Sequence, residues 1–249
     1  MVDLFDEVEG QLRSDRYKTL ALRALPWIIA VAVLALAATL GWWAWKNHQD
    51  KAAFAAAEQY TAALKSYDSG DETRAFGQLA QVVEKGPPVY KSMALMHQAG
   101  IRLEAGKADE AVALFDQSAE AAPDELLGDL ARLKSAFALL DTAAYADLEA
   151  RLQPLTEDER PYRTEAKEAL AFAKLMAGKT TEARGDFAVL SLLPDSPDPV
   201  RERARAAMDM IDSGSARALP AAVKAAAALP APQPQPQGPV APAQPGAAQ

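Results

Sequence analysis

Between Arg23 and Lys46 run 22 residues without one charged side chain, Ala24 to Trp45. At about 1.5 Å rise per residue a helix of that length covers roughly 33 Å, enough to cross the hydrocarbon core of a bilayer. Backbone amides have no water to turn to in that environment, so a lone span must be a helix. Trp27 lies near its start and Trp42, Trp43 and Trp45 at its finish, where amphipathic rings favour the headgroup boundary. A cleaved secretory signal fits less well. Its apolar core is shorter, about 7–15 residues, and ends in small residues rather than Trp-Trp-Ala-Trp-Lys. A buried helix of a soluble domain would seldom carry such an aromatic cluster with no polar face.

The span divides the chain. Arg13, Arg16, Lys18 and Arg23 precede it, against Lys46, Lys51 and Lys65 just after. This small excess predicts residues 1–23 in the cytoplasm and the rest, in a Gram-negative cell, in the periplasm: a single-pass type II protein of the inner membrane. In the arm, Leu4, Val8 and Leu12 recur every fourth residue with Phe5 beside them, an apolar helix face. Its surroundings are acidic, which favours a protein contact over anionic lipid. The alternative is a frayed arm that only sets topology. Residues 214–249 read as a disordered Pro/Ala/Gln-rich tail, because they offer little to bury. The stretch 230–245 is expected to sample polyproline II.

What lies between, residues 46–213, is rich in Ala, Leu, Glu, Lys and Arg and has no alternating run fit for a strand. The expectation is an all-α domain. Gly70, Gly106 and Gly178 each precede an Ala by five residues (Ala75, Ala111, Ala183) and a large apolar residue by nine (Leu79, Phe115, Phe187). Their spacings are 36 and twice 36, so a worn unit belongs around 125–155, with Asp141-Thr142 as its turn and Leu148 and Leu152 as packing positions. The Gly ends one helix in a left-handed conformation, the Ala lets the next helix approach, and the large residue fills the gap between units. Pro87 and Pro123 each follow their glycine by 17 residues and break the second helix. Helical pairs are expected near 52–85, 89–121, 125–153 and 162–191, with a capping helix near 198–213.

These offsets resemble the tetratricopeptide repeat, a helix–turn–helix unit of about 34 residues that stacks into a right-handed solenoid. The resemblance implies a concave face lined by the first helix of each pair. Carried onto this chain, the positions are Tyr60, Leu64 and Tyr67; Met93, Met96 and Leu103; and Phe172, Leu175 and Met176. Such a groove would be apolar, aromatic and Met-rich, suited to peptide or protein contacts. The same residues serve equally well as ordinary core.

Other chemistry finds little footing. The chain has no Cys, two distant His residues, no HExxH and no phosphate loop, so no catalytic residue, metal site or cofactor is expected. Residues 46–249 carry 22 basic and 29 acidic side chains, which disfavours nucleic acid as a partner. Arg201, Arg203 and Arg205 read as a solvated face. The acidic arm Val2-Asp-Leu-Phe-Asp-Glu-Val8, one Trp-flanked span and worn repeats look like the bacterial inner-membrane family of ancillary SecYEG translocon subunits. That resemblance covers residues 1 to about 213. It implies a periplasm-facing adaptor that contacts the translocon, periplasmic chaperones and exported chains. A scaffold for cell-envelope assembly or division is the alternative, and whether the solenoid forms a homo-oligomer is left open.

Overall fold

A computed structural model describes residues 3–227, with side chains from Leu25 to Ala225 apart from Ile28. Every regular element among these residues is helical. They form two compact units that divide after Glu58. The first unit is most of α1 (Asp3–Asp68), which holds the charge-free run. Within it one stretch is long and apolar enough to span a membrane. Its described large side chains, Trp27, Val31, Leu34, Leu36 and Leu40 among them, are exposed. Thr39 donates its hydroxyl to the Ala35 carbonyl (2.7 Å), so the run's one hydroxyl side chain is satisfied within the helix. Trp42 and Trp45 meet with ring centroids 5.5 Å apart. Leu4, Phe5, Val8 and Leu12 fall on the helical backbone of α1, but their side chains lie outside the described residues, as does the whole of the tail from Ala228.

The second unit begins with the last turns of α1. It continues through α2 (Glu72–Lys85), α3 (Pro88–Glu104), α4 (Ala108–Ala121), α5 (Glu125–Leu139), α6 (Tyr145–Leu152), α7 (Arg163–Met176), α8 (Thr180–Leu192), α9 (Asp198–Asp212) and α10 (Leu219–Ala227). From α2 to α9 each helix packs on the next, and α3, α5, α7 and α9 also touch in series, so the first helices of the pairs make one layer.

Local sequence sets these elements. Gly70, Gly106 and Gly178 have φ of +83°, +73° and +76°. At each, the glycine N–H bonds back three residues, as Gly70 does to Tyr67 (2.8 Å). The following N–H bonds back five, as Asp71 does to Ser66 (3.0 Å). This double closure satisfies the last carbonyls of the helix and requires the left-handed residue. Asp71 then caps α2 by accepting from the Arg74 N–H at 3.0 Å, and Asp124 caps α5 by accepting from Leu127 at the same distance. The repeat's Ala75, Ala111 and Ala183 are buried, as are Leu79, Phe115 and Phe187. Burying one such large side chain contributes about 1.5–3 kcal/mol.

The worn third unit shows why its signature fades. Its turn has no left-handed residue; the Thr142 and Ala143 N–H groups both bond to the Leu139 carbonyl instead. The next helix starts one residue late, which brings Leu148 and Leu152 into the core at six and ten residues past the turn. α6 has only 8 residues and continues as a 3-10 turn, Gln153–Thr156, that buries Leu155.

Helical structure also runs past the boundary expected at 213. Gly214, 36 residues after Gly178, has φ +76° and starts a fifth turn. Behind it a 3-10 turn (Ser215–Ala218) and α10 occupy the place of a second helix. Leu219 and Val223 stand at the offsets of the repeat's Ala and large residue; Ala216 belongs to the core cluster that holds Val200, Ala204 and Phe187, and Leu219 packs against that cluster. Pro220 stands in the first turn of α10, where a missing N–H costs nothing, and Ala-rich sequence carries the helix onward.

Ion pairs tie neighbouring units together. Arg151 binds Asp116 (2.9 Å), Arg160 binds Glu125 (2.7 Å) and Arg203 grips Glu168 with two bonds of 2.7 Å; each pair is 35 residues apart. Asp129, fully buried, takes Arg132 (3.0 Å) and Arg160. Arg203 and Arg205 are exposed, as a solvated face requires, but Arg203 also clamps the nearly buried Glu168, and the half-buried Arg201 is engaged with Asp198 and the Ser196 carbonyl.

Candidate partner-binding cleft

The first helices leave a cleft of about 530 Å³ between the end of α1, α3 and α5. Its walls carry Tyr60 and Tyr67 from α1, Met93, Met96 and Leu103 from α3, and Leu127 and Leu130 from α5. Five of the nine residues expected to line a groove therefore meet here. Leu64 is half-buried and is not on the wall.

The three residues from the fourth unit do not join the cleft. Phe172 packs its ring on Phe187, centroids 4.9 Å apart, and Leu175 is core. Met176 faces a separate hollow beside Tyr145 and Pro220. The repeat explains the difference, because Phe172 stands two periods after Gly100. A Cβ added at Gly100 meets nothing within 4 Å, so the space that Phe172 fills in the fourth unit is open in the second. At the equivalent pair, Leu103 is 41% exposed and Leu175 only 2%.

Several cleft residues carried no clear sequence signal. Leu127, Leu130 and Lys134 recur at helical spacing along α5, but the third unit's altered turn hid their alignment. His97 lies against Tyr60, rings 5.4 Å apart, and Tyr60 also meets Tyr90 edge-on at 6.0 Å. Gln98, beneath, holds the Phe76 carbonyl at 3.1 Å and links α3 to α2.

The electrostatics are muted. Burial, then Lys134, pushes the His97 pKa down, so the imidazole is neutral near pH 7. Burial raises the Tyr60 phenol. The Tyr67 hydroxyl donates to Glu104 at 2.5 Å, and that bond pushes its pKa up to about 12. Arg102, whose guanidinium lies 4.0 Å from the Phe76 ring centroid, is paired with Glu110. Among the described residues no group of three or more His, Asp or Glu is placed to hold a metal ion. The arrangement can bind apolar side chains; it assembles no nucleophile with a base.

Stacked helical pairs with a cleft across their first helices, preceded by one helix long and apolar enough to cross a membrane, define an interaction scaffold. The chain belongs to the tetratricopeptide repeat-like domain family, whose model matches residues 25–191. The match starts inside the charge-free run and stops short of α9 and α10. No curated protein and no solved structure matches the chain.

Proposed function

We propose that this protein is a membrane-tethered, periplasm-facing adaptor that works beside the SecYEG translocon and passes contacts between exported chains and periplasmic chaperones. The observation that carries the reading is the cleft. Tyr60, Tyr67, Met93, Met96 and Leu103 converge there, and flexible thioethers with amphipathic rings suit varied apolar segments. The single span supports a tether, and the charge bias around it supports the arm 1–23 in the cytoplasm with the repeats outside. The acidic arm, span and repeats together resemble the ancillary translocon family. On this reading Leu4, Phe5, Val8 and Leu12 face a cytoplasmic or membrane-embedded protein partner.

Photo-crosslinking in cells tests this, with a photoreactive residue at Tyr60 or Met96 and the core position Phe172 as a negative control. Translocon subunits, chaperones or exported chains captured from 60 and 96 support the adaptor. Capture confined to cell-wall or division proteins overturns it in favour of an envelope scaffold.

A further inference from the structure

From the match between the cleft and the end of the chain, we infer that the Pro-rich segment 228–249 is a ligand of this protein's own cleft and competes there with partner segments. This rests on the reading of the cleft as the adaptor's binding face. The cleft walls are mostly apolar and aromatic, with Glu104 and Lys134 as the charged side chains of the lining. Glu104 accepts the Tyr67 hydroxyl, His97 is neutral and only Lys134, exposed on α5, stands unpaired in the lining. An uncharged guest can bury itself against the apolar part of these walls without desolvating a charge of its own.

The segment answers that chemistry. From Ala225 to Gln249 there is no charged side chain, and residues 228–249 hold seven prolines, alternating with Gln from Pro232 to Gln237. Proline presets the extended left-handed helix, so little entropy is lost on docking, and aromatic-lined grooves are the surfaces that recognise it. The cleft's 530 Å³ is the size of a small-molecule site, so a few residues dock at a time. Reach is no obstacle. Starting at Ala227, 22 residues could span up to about 68 Å at roughly 3.1 Å each, more than the roughly 40 Å diameter of a compact domain of about 170 residues.

A tether of that length holds the segment at roughly millimolar effective concentration. A ligand with an intrinsic Kd of about 0.1 mM would then fill the cleft about nine-tenths of the time and weaken any partner about tenfold. Partners that bind only weakly are thereby refused, and the apolar cleft is covered while idle.

The test uses a fluorescein-labelled peptide of residues 228–249, followed by anisotropy on the protein in lipid nanodiscs. A chain ending at Ala227 should bind the peptide, and the full chain should bind it at least about tenfold more weakly. In the shortened chain, Gly100→Phe, which fills the cleft where Cβ space is open, and Leu103→Glu on its exposed wall should each abolish binding. Circular dichroism shows whether both variants are folded. No binding by the shortened chain, or equal binding by both lengths, overturns the inference. A difference that vanishes on dilution means a second copy supplies the segment, which also overturns it. Peptide binding without capture of any protein in cells removes the adaptor reading alone. Capture without peptide binding removes this inference alone.

Discussion

Replacing Arg160 by Leu withdraws a guanidinium from the most deeply buried charge in the described repeats. Asp129 has no exposed surface. One carboxylate oxygen takes both Arg132 and Arg160, and the other has no hydrogen-bond partner. Stripping a buried ion of its partner costs about 3–5 kcal/mol when nothing remains. Here Arg132 remains but is 46% exposed, which leaves about 2 kcal/mol as the expected loss. The companion pair with Glu125 adds at most a few tenths, because that carboxylate is 70% exposed. For a domain of about 170 residues this lowers the melting temperature by roughly 4–8 °C. Circular dichroism at 222 nm on the detergent-solubilised full chain reads it, with the long apolar helix as a constant background. Adding Asp129→Asn should restore at least about 1 kcal/mol, since a neutral amide needs no counter-ion. A loss under about 0.5 kcal/mol in Arg160→Leu, or a double variant as unstable as the sum of the singles, would refute the argument.

Two further substitutions and a pH profile probe the same domain. Gly178→Ala should cost about 1 kcal/mol in urea unfolding, all of it backbone strain at φ +76°, because its Cβ meets nothing within 4 Å. Glu159, at φ +68°, is the opposite case: Glu159→Gly should gain about 0.5–1 kcal/mol, and no gain would show the loop stabilises that conformation by other means. His97 titrates below the ordinary value of about 6.5 in the folded protein, so above pH 6.5 it adds no slope. On acidification the unfolded chain takes the proton first, and stability falls from about pH 6.5 down to the folded pKa. His97→Gln should flatten that window; an unchanged slope between pH 6.5 and 5.5 would mean the imidazole is solvated.

Much of the fold is legible because the glycine turns are local. A left-handed residue, a small residue five later and a large one nine later require nothing beyond their own two helices, and three units display them unaltered. The third unit is obscured by a single step: without glycine at 142 its second helix starts one residue late, and every later offset moves with it. The fifth turn kept its glycine, yet Leu219 and Val223 replace the Ala and the large residue, and the surrounding Ala and Pro read as tail. The cleft is harder to foresee, because a position's role depends on its neighbour across the gap. Gly100 and Phe172 occupy one repeat position, and only their packing distinguishes open space from core.

The clamps between units have a bearing on how such a chain can change in length. Arg151, Arg160 and Arg203 each meet an acid 35 positions earlier, so a contact made in space is also a fixed interval in sequence. Adding one residue inside a helix that separates the partners would rotate the later base about 100° away from its acid, since a helix turns once per 3.6 residues. Insertions are therefore absorbed in loops or taken as whole periods, and a new unit can be spliced in only at full register.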